Sequence, residues 1–253
     1  MSDQKGYSTT WGNGERRATG NGISLGDITR LQSNNEDQQF DIDAITSAAP
    51  SVHGSNNTIE LAVEILRRSN NMRMNERTRL LLTPGLVRGI YAAEEAHMSF
   101  TRRAADFLGI RRQSVGRGQV REDAFNQVRN VYGREFSQYL RVLRIRASGN
   151  FREDIQNEAI HDFIVAGYIA FHIWWNYTNH PSRDPEDTLR FAIGLYTGAR
   201  PMLNRAGDTF NHNNEIPIGT PIMRFSDIAG ILEQGNSDER RLLSYINMVY
   251  DSR

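Results

Sequence analysis

FIVAGYIAFHIWW, Phe163 to Trp175, is the longest apolar run in the chain, and its reading decides the fold. It contains His172 and is shorter than the roughly 17 to 25 residues that a membrane-spanning helix needs, so the expectation is a buried helix of a soluble protein. Extended from about Arg152 to Tyr177, it is apolar nearly all round through its middle, which predicts a central place in a helical bundle.

Working towards the N-terminus, the spacing predicts one helix from near Gln119 to Ala147, ended by Ser148, Gly149 and Asn150. At 100° per residue, Phe125, Val128, Tyr132, Phe136, Tyr139 and Leu143 fall on one face, with Arg134, Arg141 and Arg144 opposite. One side reads as core and the other as a positive stripe. Before it, a helix is expected from Pro84 to about Leu108, with Gly109 as its stop. A short helix over Glu76 to Leu82 and a helix capped by Thr58, with Ile59, Leu61, Ala62, Ile65 and Leu66 at helical spacing, precede that.

On the C-terminal side, Asp184 before Pro185, followed by Glu186 and Asp187, marks a helix start running to about Thr197. A loop over Ala206 to Pro221 and two short helices near Ser226 to Leu232 and Ser237 to Tyr250 complete the chain. No strand alternation or internal repeat is found. The expected class is all-α: a helical bundle core with an extended, largely irregular N-terminal arm.

The division expected is a flexible polar arm over 1–56, a helical core over 57–205, and a loop with short helices over 206–253 that packs on the core or on a neighbouring subunit. The arm is rich in Gly, Ser, Thr, Asn, Asp and Gln, with apolar patches too small to fold alone. Its first residues lack the apolar segment of a secretory signal, so export by that route is not expected. With no cysteine, the sequence offers no disulfide, thiolate metal site or cysteine nucleophile.

Charge is the most informative feature. The net formal charge is zero, yet 29 of the 30 basic residues are arginine, with Lys5 the exception. Genome base composition is one cause of such a bias. The other is chemical, because a guanidinium binds phosphate and carboxylate bidentately and stacks on flat groups. Residues 67–152 hold 18 arginines and 7 acids, a net of +11, whereas 1–66 carry −5 and 153–253 carry −6. Neutrality is an average over a basic middle and acidic ends.

Within that middle lies FLGIRRQSVGRGQVREDAF, Phe107 to Phe125. Glycines in SVGRGQV let backbone N–H groups approach an anion, but the GK[ST] ending of a nucleotide-hydrolysing loop is missing. The arrangement suits a grip on several phosphates of a polyanion. Arg102, Arg103, Arg111, Arg112, Arg117 and Arg121, with Arg134, Arg141 and Arg144 on the stripe, are the candidate nucleic-acid-binding residues. The neighbouring Phe107, Phe125, Tyr132, Phe136 and Tyr139 have the spacing of core side chains rather than of a base-stacking platform.

An enzyme reading competes with this one. Glu94 with His97 and Glu158 with His161 are two E-x-x-H pairs, and such pairs plus two further carboxylates form the di-iron site of ferritin-like bundles. Glu135 and either Glu60 or Glu64 are the carboxylates available. The expected role is nonetheless non-enzymatic and without a cofactor, with a di-iron oxidoreductase as the alternative and a helical adaptor for acidic proteins as the third reading.

The plan of a polar arm followed by a helical core resembles, as architecture over most of the chain, viral coat and nucleocapsid proteins that wrap RNA in filaments. A structural protein that packages RNA, ahead of DNA, through an arginine-lined groove is the expectation. Its partners would be nucleic acid and further copies of itself, with no membrane, and its location the virion or the cytoplasm.

Overall fold

The computed structural model describes residues 55–69, 79–97, 114–115, 118 and 120–253. The fold is all-α. In chain order the elements are α1 (Ser55–Arg67), α2 (Pro84–His97), a strand pair β1 (Ser114–Val115) and β2 (Val120–Arg121), α3 (Glu122–Val131), α4 (Gly133–Leu143), α5 (Phe151–Asp154), α6 (Glu158–Asn179), α7 (Pro185–Tyr196), α8 (Arg200–Asn213), α9 (Ser226–Gln234) and α10 (Ser237–Asp251).

The apolar run forms the central helix, α6, which packs against α1, α2, α3, α4 and α7. Ile160, Phe163, Ile164, Val165, Ala166, Ile169, Ala170 and Ile173 are all fully or almost fully buried. Each large aliphatic or aromatic side chain so buried contributes about 1.5–3 kcal/mol. Gly167 on α6 allows a close approach of α3, since a Cβ there would lie 2.6 Å from Val128 Cγ1. Among the described residues no helix is long and apolar enough to cross a membrane.

The helix expected from Arg152 is two elements. Asp154 closes the single turn of α5, and Asn157 restarts the chain by accepting from Ala159 N and Ile160 N, so α6 begins at Glu158. The helix expected over 119–147 is also two. Tyr132 leaves helical geometry (φ −117°, ψ 31°) and buries its ring against α6 beside Gly167, and Gly133, a weak helix former, follows it. Phe125, Val128, Tyr132, Phe136 and Tyr139 are buried across the break as the wheel requires.

Two other expectations are corrected. Thr58 lies inside α1 rather than at its cap and donates to Asp162 Oδ2, while Tyr91 donates to Asp162 Oδ1 at 2.7 Å. One buried carboxylate thereby ties α1 and α2 to α6. The loop expected from Ala206 is helical as far as Asn213, because Pro201 starts α8 and Leu203, Ala206 and Gly207 are buried, Gly207 against Ile222. The start at Asp184 holds, with its side chain accepting from Glu186 N at 2.8 Å. The arm as far as Gly54, the helix expected at 76–82 before Arg79, and the stretch from Met98 to Gln113 lie outside the described residues, while Ser55 and Asn56, expected in the arm, already belong to α1.

Candidate nucleic-acid interface

The arginine-rich turn is a short antiparallel hairpin, with Ser114 opposite Arg121 and Val115 opposite Val120. Its second glycine is buried in the core rather than held in a free loop. A Cβ on Gly118 would lie 2.5 Å from Val165 Cγ2 and 3.1 Å from both the Tyr196 hydroxyl and Tyr91 Cε1, so only glycine fits. Tyr196 donates to Gly118 O at 2.7 Å. Core side chains of three helices thus fix where the hairpin leaves the bundle.

Beside it opens a cavity of about 390 Å3, with Arg121, Tyr168, Tyr196, Arg241 and Tyr245 among its walls. Arg121 is exposed and 3.1 Å from the exposed Asp123. An exposed pair of this kind is worth little, so Asp123 holds the guanidinium only weakly. Arg102, Arg103, Arg111, Arg112 and Arg117 lie outside the described residues.

Arg134, Arg141 and Arg144 are exposed on α4 and its C-terminal cap, as the wheel predicts. Arg146, on the loop after α4, and Arg152, in α5, which the helical wheel does not single out, are exposed as well. Arg141, Arg144, Arg146 and Arg152 form no ion pair with any described residue. The signal that could have found the two additional residues is the crowding of arginine towards the end of the basic segment.

The loop carrying Arg144 and Arg146 is held by hydrogen bonds at both ends. Arg144 N–H donates to Arg141 O and Ile145 N–H to Leu140 O, which is the hydrogen-bond pattern of a helix end closed by a left-handed residue. That residue is Arg144, at φ 57°, where glycine is usual. Beyond it, Asp154, buried in the first turn after the loop, accepts from Ser148 N at 2.6 Å and Gly149 N at 3.0 Å. Arg129 lies over the Phe125 ring at 5.3 Å and donates to Gly149 O at 3.4 Å, and Phe151 packs edge-on to Phe125 at 5.5 Å. Phe125 and Arg129, four apart on α3, thus tie that helix to the basic loop and to α5.

The residues of the di-iron alternative are not brought together. Glu94 accepts from Tyr245 at 3.1 Å, and His97 stands beside the Tyr245 ring. His161 stacks on Tyr91 at 5.5 Å, Glu158 is exposed at the start of α6, and buried Glu135 accepts from Ser69 at 2.7 Å. Glu60 and Glu64 pair with Arg88 and Arg68. Helical register explains the failure: each E-x-x-H pair is on one helix face, but the faces of α2 and α6 present their pairs to different neighbours. Among the described residues no group of three or more histidines and carboxylates could hold a metal ion. In comparisons with family models, curated proteins and solved structures, nothing matches the chain.

Proposed function

We propose that the chain is a structural nucleic-acid-binding protein that assembles with copies of itself and packages RNA, in the manner of a viral coat or nucleocapsid protein. The observation that carries this reading is the exposed set Arg141 at the end of α4, Arg144 and Arg146 on the loop that follows, and Arg152 in α5, without acidic partners among the described residues, the far end of the loop being held by Asp154. A strand of phosphates needs many separate cations at fixed positions. Arginines on a preorganised loop meet that need with little ordering cost on binding.

Segregated charge supports the assembly half of the reading. The acidic segments, −5 before residue 67 and −6 after residue 152, complement the +11 middle of another copy. They also keep the free protein neutral, which limits indiscriminate binding.

The test is fluorescence anisotropy of labelled single-stranded RNA against wild type and the triple variant R141Q/R144Q/R146Q, over a salt series. Affinity is expected to fall about tenfold or more, and the slope of log K on log salt to flatten by about 2, at roughly 0.7 for each phosphate no longer neutralised. Unchanged affinity and slope would overturn the interface. In parallel, protein purified without nuclease should elute as a large species with excess 260 nm absorbance that nuclease or high salt removes.

A further inference from the structure

A second cavity, also about 390 Å3, lies at the opposite end of α6 between that helix, α7, α8 and the segment 219–222. It is roughly 25 Å along the helix rise from the N-terminal end, which the basic loop adjoins. Its walls combine flat rings with two guanidinium groups.

Arg183, three residues beyond the C-cap of α6, is only 7% exposed. Its Nη1 donates to Asn176 Oδ1 at 2.8 Å, its Nη2 to Ile222 O at 2.5 Å, and its plane lies 4.0 Å above the Phe191 ring. The Nε–H is buried with no acceptor among the described residues. No described carboxylate is within ion-pairing distance, and the nearest influence, Asp187, uses Oδ1 to accept from Phe225 N at 2.9 Å. Its hydrogen-bond partners among the described residues are neutral, an expensive state for a buried cation.

Arg200 lines the same cavity, its guanidinium 4.4 Å from the Trp175 ring centre. Burial, and then the charges of Arg183 and Arg200, lower the pKa of His180 in the same wall. Asp208 is the carboxylate of the lining, and it accepts from Gly219 N at 3.2 Å. Asn204 and Thr220 add amide and hydroxyl groups.

We infer that this cavity binds a nucleotide-sized organic phosphate, with the phosphoryl group between Arg183 and Arg200 and the flat base in the remaining space. A guanidinium favours phosphate through bidentate contacts, and its plane accepts a stacked base. The volume falls in the range of small-ligand pockets and exceeds what a bare phosphate fills. This site is separate from the basic residues of α4, α5 and the loop between them, and does not depend on the RNA-packaging reading.

The experiment is calorimetric titration of the full chain with adenosine monophosphate, adenosine, inorganic phosphate and a short 5′-phosphorylated RNA. Variants R200Q and R183Q are tested alongside, with circular dichroism to verify folding. Adenosine monophosphate is expected to bind at least tenfold more tightly than adenosine or phosphate, with a loss of at least tenfold in R200Q. Sensitivity of only the 5′-phosphorylated RNA to R200Q identifies a strand end as the source of the nucleotide and also supports the site. If R183Q fails to fold, R200Q, at a half-buried position, carries the test. Equal binding of adenosine and its monophosphate, absence of binding by any probe, or indifference to R200Q overturns the inference. R141Q/R144Q/R146Q should leave the monophosphate affinity unchanged, so failure here and failure of the RNA interface are read separately.

Discussion

Tyr196 of α7 donates its phenolic hydrogen to the carbonyl of Gly118 at 2.7 Å, joining the arginine-bearing hairpin to a helix 78 residues further along the chain. The phenol is buried, and burial pushes its pKa well above the ordinary tyrosine value, so it stays a donor throughout the working pH range. The hairpin's position therefore depends on the bundle and not on local turn chemistry alone.

Removing that donor leaves a buried carbonyl without its partner. Tyr196→Phe is expected to lower stability by about 1–3 kcal/mol and to weaken RNA binding several-fold through loss of hairpin placement. Urea denaturation and anisotropy on the same sample check both. A stability loss with unchanged RNA affinity would show that hairpin placement is irrelevant to binding.

Asp154 plays the corresponding part for the basic loop, through two backbone N–H groups. Asp154→Asn retains the shape but removes the charge and can turn an amide donor towards those donors. A loss of about 1–3 kcal/mol is expected, with weaker RNA binding although the net positive charge increases by one. Tighter RNA binding would mean that charge alone, not loop geometry, governs affinity.

The sequence made the parts governed by local signals legible. All-round apolarity identified α6, and the Asp184–Pro185 start is correct because a cap bonds within its own turn. The break at Tyr132 was hidden because burial keeps its helical period on both sides. α8 was hidden because its burial depends on Ile222, beyond its own end, and its composition is polar. Of the site, the exposure of Arg134, Arg141 and Arg144 followed from the wheel. The left-handed cap at Arg144 and the burial of Arg183 did not, since each depends on contacts that spacing does not encode.

Acid should destabilise the protein through two histidines. Burial first, and then Arg200, lowers His172 to about 3, and burial, with Arg183 and Arg200, lowers His180 to about 4. Below the ordinary value near 6.5, the unfolded chain takes up protons that the folded chain refuses. Stability therefore rises with pH across this window and is fully present above about 6.5, with a limiting slope of about 1.4 kcal/mol per pH unit for each histidine. Urea midpoints measured between pH 7 and pH 4 should fall, and His172→Phe, which keeps a ring beside Tyr168 and Phe171, should make the fall shallower. An identical pH profile in that variant would rule out His172 as a source.

Arg144 separates stability from function most sharply. A side chain with a Cβ in the left-handed region costs about 1–2 kcal/mol relative to the right-handed one, and glycine avoids that cost at a helix end of this pattern. Arg144→Gly should therefore raise stability, by about 0.5–1 kcal/mol after allowing for the greater freedom of glycine in the unfolded chain. The same change should weaken RNA binding by severalfold and flatten its salt dependence by the equivalent of about one phosphate. Retention of a strained arginine then has a reason, because the αL cap aims a guanidinium that an unstrained residue would not supply. Gain of stability with unchanged RNA affinity would leave the strain without that reason, and would remove Arg144 from the interface while Arg141, Arg146 and Arg152 are tested individually.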